Sequence, residues 1–181
     1  MKIITLLVSG ALLIAGGASV HSHGGAKGIV KERMDAMGML ADAMKSLAPI
    51  VRGDVDYDAD TVRKGAEALR AHSGDALTRL FPEGSISGPS EAREEIWSEW
   101  ERFTELSQQL EQFATALAGA ADNGLAVGHG GSGMMGQSGM MGKRGATGNP
   151  VALADMPVQG LFKMAAQTCS ECHREFRIKK N

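Results

Sequence analysis

Residues 169–173 read Cys-Ser-Glu-Cys-His, a C-x-x-C-H sequence close to the carboxyl end of a chain of 181 residues. On a helix, Cys169, Cys172 and His173 occupy positions i, i+3 and i+4, so the three side chains leave one face. Two thiols can add across the two vinyl groups of a porphyrin, while the adjacent imidazole can bind the iron. The stretch therefore predicts one covalent haem c, with Cys169 and Cys172 as attachment residues and His173 as the proximal iron ligand.

Two other interpretations of the same five residues are a zinc half-site and a C-x-x-C redox pair. A structural zinc site would need two more ligands, and the chain has no further cysteine to supply them. A thioredoxin-like pair would lie in a βαβ unit, whose alternation of strand and helix patterns this sequence lacks. Both interpretations are therefore weaker than haem attachment.

The first 22 residues have the pattern of a signal peptide. Lys2 is followed by an apolar run over residues 3–15 and by small residues at 16–19. The run is short and interrupted by glycine, which suits a cleaved signal better than a transmembrane span. The sequence predicts a signal peptide at 1–22, with an uncleaved anchor as the alternative, and one mature domain at 23–181 in the periplasm without stable membrane insertion. The formal net charge of −2 gives no basic surface for nucleic acid.

Hydrophobic periodicity indicates an all-α protein. Apolar residues recur every three or four positions along four segments, and no segment alternates with period two, so no sheet is expected. Ser90 is a good helix N-cap, with Glu94 near the capping-box position. Only 4% of the residues are aromatic, and a buried porphyrin would supply flat apolar mass to the core. The pattern predicts an antiparallel four-helix bundle with helices at about 28–52, 59–80, 90–121 and 158–178.

A segment rich in glycine and methionine separates the last two predicted helices, at about 123–149. It has ten glycines between residues 124 and 148 and repeats the sequence Ser-Gly-Met-Met-Gly at 132–136 and 138–142. Its four methionines and His129 are soft ligands that could bind Cu(I), so copper binding is a further functional hypothesis. A low-complexity insertion without ligands is the simpler interpretation.

Several of these stretches together resemble the class II c-type cytochromes, the family of cytochrome c′ and its low-spin His/Met members. The resemblance implies a left-handed four-helix bundle that is often a homodimer, and the long segment at 123–149 departs from the family's pattern. It rests on Arg33 with Met37, on Tyr57-Asp58, on residues 80–85, on Ile96-Trp97 with Trp100 and Phe103, and on residues 169–177.

The resemblance also implies roles for residues beyond the haem motif. Arg33 matches an arginine near the haem edge and a propionate, and Arg177 matches a basic residue that lies beside the proximal imidazole and lowers its basicity. Met37 matches the distal position. If Met37 binds the iron, the protein is a one-electron carrier that exchanges electrons with redox partner proteins. If Met37 only shields the iron, the haem is five-coordinate and binds nitric oxide or carbon monoxide.

Neighbouring methionines Met34 and Met44 could compete with Met37 for the iron, and each of the three could instead fill the core. The sequence has no nucleophile beside a base, no paired acid and base, and no phosphate-binding loop, so no enzymatic activity is expected.

Overall fold

The computed structural model describes residues 25–86, 88–125, 153 and 155–179. The predicted signal peptide and most of the segment rich in glycine and methionine, including His129 and its four methionines, lie outside these ranges. The helices are α1 (Gly28–Arg52), α2 (Ala59–Ala71), α3 (Asp75–Thr78), α4 (Glu95–Ser98), α5 (Trp100–Gly119), a 3-10 turn (Ala121–Asn123) and α6 (Val158–Phe176).

The four long helices form the predicted antiparallel four-helix bundle. Helix α1 packs against α2 and α6, and α5 packs against the same two neighbours from the other side. The described residues contain no strand, and their one isolated bridge joins Ala92 to Arg177. The all-α fold class is therefore confirmed.

No helix among the described residues is both long enough and apolar enough to cross a bilayer.

Helix α1 has the bounds that the sequence predicts. Its buried positions recur every three or four residues, as an amphipathic helix requires. The helix ends at Gly53, whose φ of 75° is left-handed, and the next amide, that of Asp54, donates to the Pro49 carbonyl at 2.9 Å. The buried residues are Val30, Arg33, Ala36, Leu40, Ala43, Leu47 and Ile50.

The prediction of one helix over 59–80 is wrong beyond residue 71, because the helix is interrupted at Gly74. Gly74 has a φ of +58° and is buried against α5. Its amide donates to the Ser107 carbonyl at 3.0 Å, and the Ser107 hydroxyl donates to the Gly74 carbonyl at 2.9 Å. The Gly74 amide thus bonds to α5 and not to the preceding turn of α2, so α2 ends. The Gly74 carbonyl also accepts from the Leu77 and Thr78 amides, so the short α3 begins separately.

The predicted start of the third helix at Ser90 is also wrong. The Ser90 hydroxyl accepts from the Ala92 amide within a turn, and Ala92 pairs with Arg177 in an antiparallel bridge. The Ile178 amide donates to the Glu91 carbonyl at 2.8 Å. Because the backbone around Ala92 bonds to the end of α6, it does not form a helical turn. Helix α4 begins only at residue 95, and α6 ends two residues earlier than predicted.

Helices α1 and α2 approach most closely at Gly65. A Cβ added at Gly65 would lie 2.8 Å from both Cγ and Cδ2 of Leu47. Leu47 is fully buried, as are Val62 and Leu69 on α2, so its side chain has little room to move. Glycine at position 65 is therefore required by the close contact of the two helices.

Gly65→Ala is expected to lower the free energy of unfolding by about 1 kcal/mol. Overpacking a filled core costs about 1–3 kcal/mol, and the better helix propensity of alanine offsets up to about 1 kcal/mol. The matched control is Gly38→Ala in α1, where an added Cβ meets no atom within 4 Å. The control is expected to raise the free energy by about 0.5–1 kcal/mol. Urea denaturation of the holoprotein measures both changes, and equal changes of one sign would contradict the packing argument.

Candidate functional site

The six residues that the sequence predicts for the site all line one cavity of about 410 Å³. Arg33 and Met37 lie on α1. At least 132 positions further along the chain, Cys169, Cys172 and His173 lie on α6, and Arg177 follows directly after that helix.

The cavity is mainly apolar and reaches from the centre of the bundle to its surface. Phe103 packs at 4.9 Å from Phe81 and 5.4 Å from Phe176, measured between ring centroids. The volume of the cavity lies in the range of known cofactor and ligand cavities. Other apolar side chains on its wall are Leu40, Leu77, Ile96, Leu106 and Leu110.

Two groups of buried side chains flank the cavity. The α2 cluster consists of the buried side chains packed around α2, among them Val62, Leu69, Leu117 and Leu161. The phenylalanine cluster contains Phe81, Phe103 and Phe176 with Ala36, Leu77, Leu80, Ile96 and Leu106. Of the predicted attachment residues, Cys169 packs against the α2 cluster and Cys172 packs against the phenylalanine cluster.

Burial governs the chemistry of the two cysteines. It raises the pKa of the Cys169 thiol, and it raises the pKa of Cys172 to about 12, with a smaller contribution from the neighbouring Cys169. Both side chains are therefore neutral at physiological pH. A catalytic redox pair needs an accessible thiolate of low pKa. The burial of the two thiols thus disfavours a redox pair and suits uncharged thioethers.

His173 meets the requirements of a metal ligand. Its side chain lines the cavity and is also exposed at the surface. Partial burial lowers its pKa, and the positive charge of Arg177 lowers it further. The imidazole is accordingly neutral at physiological pH and keeps a lone pair for a metal. The Arg177 guanidinium in turn pairs with Glu91 at 3.2 Å.

Arg33 is a buried cation with unused donors. Its exposed fraction is 3%, and burial lowers its pKa. Nη2 donates to the carbonyl and hydroxyl oxygens of Ser85, and the guanidinium lies 4.7 Å from the Phe81 ring centroid. Nε and Nη1 have no hydrogen-bond partner among the described residues. A buried charge in this condition is costly unless an anion pairs with it.

Comparison with known proteins assigns this chain to a family. The sequence model described as Cytochrome C' matches residues 28–132, more than half of the chain. The chain belongs to the cytochrome c′ family. Because the match ends before α6, the C-x-x-C-H sequence is separate evidence. Haem c, attached covalently, is the cofactor of this family and of this protein.

Individual relatives agree with the family match. Cytochrome c′ from Alcaligenes xylosoxydans xylosoxydans is 32% identical over 95 residues, which are 52% of this chain and 72% of that protein. Cytochrome c-554 from Cereibacter sphaeroides is 24% identical over 154 residues, 83% of this chain and 81% of that one. A solved nitric oxide complex of a variant cytochrome c prime from Alcaligenes xylosoxidans aligns with a TM-score of 0.59 and 25% identity, covering 84% of this chain and 94% of the other.

The residues on the cavity fit a haem. The apolar wall suits the porphyrin, and the neutral thiols suit covalent attachment. The unused donors of Arg33 suit a propionate carboxylate, which would supply the anion that the described residues do not.

Sequence reasoning missed two residues of this site. No sequence motif marks Glu91, yet it lines the cavity and pairs with Arg177, 86 positions away. Ser85 belonged to a stretch that supported the resemblance, but nothing in the sequence linked it to Arg33. Local patterns carry no signal for an interaction between distant segments.

Replacing both attachment residues, Cys169→Ala with Cys172→Ala, is expected to leave any haem removable in denaturing solvent. Each single variant should keep one thioether bond and retain the haem under the same conditions. Intact mass spectrometry of the unfolded chain distinguishes these cases. Ser170→Ala, between the two cysteines and exposed, is the control that should retain the haem. Haem that stays bound to the unfolded double variant would contradict the assignment.

Proposed function

We propose that this protein is a periplasmic one-electron carrier. Its haem c would be held through Cys169 and Cys172, and its iron would be bound by His173 on one side and Met37 on the other. The haem supplies the electron by the change of its iron between ferric and ferrous states. The partners would be redox proteins that exchange this electron at the surface.

The observation that carries the proposal is the position of Met37. Its side chain packs against both the α2 cluster and the phenylalanine cluster, the same two groups that Cys169 and Cys172 contact separately. Met44 packs only against the α2 cluster, and Met34 packs against neither. Met37 is thus the methionine of α1 that shares the surroundings of both attachment residues.

A methionine ligand fits the proposed activity. Thioether sulfur favours ferrous iron and raises the reduction potential, as in cytochromes with Met/His ligation. Two fixed ligands from α1 and α6 would also keep the site similar in both oxidation states, because the two helices pack against each other. The cavity wall is mainly apolar, and the charge of Arg177 lowers the basicity of His173.

The alternative is a five-coordinate haem that binds nitric oxide or carbon monoxide. Its support is the nitric oxide complex among the structurally similar proteins. In that case Met37 would only fill the core beside the iron, as methionine does elsewhere.

Other parts of the proposal lie outside the described residues. The proposed periplasmic location is supported by the signal peptide predicted at 1–22 and by the chemistry of haem attachment. Copper binding by His129 and the methionines at 134, 135, 140 and 141 stays a prediction, as does a homodimer.

The ferrous spectrum with and without carbon monoxide tests the main proposal. We expect a sharp α-band that carbon monoxide does not change, since Met37 would occupy the sixth position. Met37→Ala should give a high-spin spectrum that responds to carbon monoxide.

Met34→Ala, Met44→Ala and the exposed Met39→Ala are controls that should keep the unmodified spectrum. A broad spectrum of the unmodified protein that shifts with carbon monoxide would overturn Met37 ligation and favour the gas-binding alternative. If Met34→Ala or Met44→Ala behaves as expected for Met37→Ala, the ligand is a different methionine.

A further inference from the structure

The turn after α3 is built to hold Arg33 from two sides. The Ser85 amide donates to the Pro82 carbonyl at 3.1 Å, which closes a four-residue turn. Its third residue, Gly84, has a φ of +73° and no atom within 4 Å of an added Cβ, so the backbone conformation and not lack of space favours glycine. Phe81 immediately precedes this turn and Ser85 ends it.

The turn is itself anchored to the bundle. The Trp97 indole Nε1 donates to the Phe81 carbonyl at 3.0 Å. The buried Phe81 ring contacts Phe103 on α5. The oxygens of Ser85 are therefore fixed relative to the cavity wall and do not depend on a free loop.

These contacts define the orientation of the Arg33 guanidinium. Both hydrogens of Nη2 are engaged, at 2.9 Å by the Ser85 carbonyl and at 2.6 Å by its hydroxyl, and one guanidinium face lies on Phe81. A guanidinium has five N–H donors. The three that remain, on Nε and Nη1, belong to a side chain that lines the cavity.

Other charged groups near this position are engaged elsewhere or exposed. Glu91 pairs with Arg177 on the cavity wall, and Lys31 pairs with Asp35 on the outside of α1. Glu32 on α1 and Glu83 in the turn are exposed, and His173 lines the cavity. None of these side chains forms an ion pair with Arg33 in the described part of the chain.

We propose that Ser85 is a positioning residue, which orients Arg33 so that its remaining donors bind a haem propionate and set the pH range over which the reduction potential changes. This inference rests on haem c occupying the cavity, as in the proposed function. It holds whether or not Met37 binds the iron.

The sign of the effect follows from linkage. A fixed guanidinium stabilises the ionised carboxylate and lowers its pKa. Ferric iron carries one more positive charge than ferrous iron, so the propionate has a lower pKa in the ferric protein. The potential therefore falls with rising pH between the two pKa values. Loosening Arg33 raises both values and moves this falling region to higher pH.

The experiment measures the midpoint potential of the holoprotein as a function of pH. Ser85→Ala is expected to move the falling region upward by about 0.4–1 pH unit, because the loss of one hydrogen bond loosens Arg33. Ser85→Thr keeps the hydroxyl and should restore the original region.

The matched control is Ser46→Ala on α1, whose hydroxyl donates to the Ala43 carbonyl at 2.8 Å away from Arg33. It should leave the pH dependence unchanged. The inference is overturned if Ser85→Ala leaves the region where it was, if Ser46→Ala moves it equally, or if Ser85→Thr fails to restore it. The result of the carbon monoxide test of Met37 does not depend on Ser85. Either proposal can therefore fail while the other holds.

Discussion

An apolar cavity of about 410 Å³ is the constraint on which the rest of this bundle depends. An apolar cavity in a packed core carries a cost in stability, because the side chains on its wall lose contacts. The exposed side chain of His173 lies on this wall, so water can also approach it. The helices are arranged around this space, and a covalently bound porphyrin removes the cost permanently.

The two ends of the bundle are packed differently. Around α2 the helices approach closely, and glycine at position 65 lets Leu47 of α1 fill the interface. At the other end, the chain leaves regular helix at Gly74 and again before α4. These irregular segments bring Phe81 to the cavity wall and Ser85 to Arg33. A close-packed end therefore fixes the spacing of α1 from its neighbours, while the irregular end supplies the polar contacts.

Much of the site could be predicted because its chemistry is encoded by residues next to one another. Cys169, Cys172 and His173 share a helical face by spacing alone, and the bounds of α1 follow from its apolar period and from Gly53. The predicted continuation of the second helix to residue 80 and the predicted N-cap at Ser90 were wrong. In both places the backbone finds hydrogen-bond partners on a distant segment, on α5 for Gly74 and at residues 176–178 for the chain around Ala92.

The sequence by itself determined the helical class and the covalently bound cofactor, because each follows from local spacing and residue chemistry. It also predicted the six residues of the site. Only the tertiary structure decided that all of them meet on one cavity, that Glu91 pairs with Arg177, and that Ser85 holds Arg33. The last two contacts join residues 86 and 52 positions apart. The C-x-x-C-H sequence predicts where the haem is attached, and the packing of the helices decides that Met37 shares the surroundings of Cys169 and Cys172. Packing is a property of the whole chain, so no single stretch could reveal it.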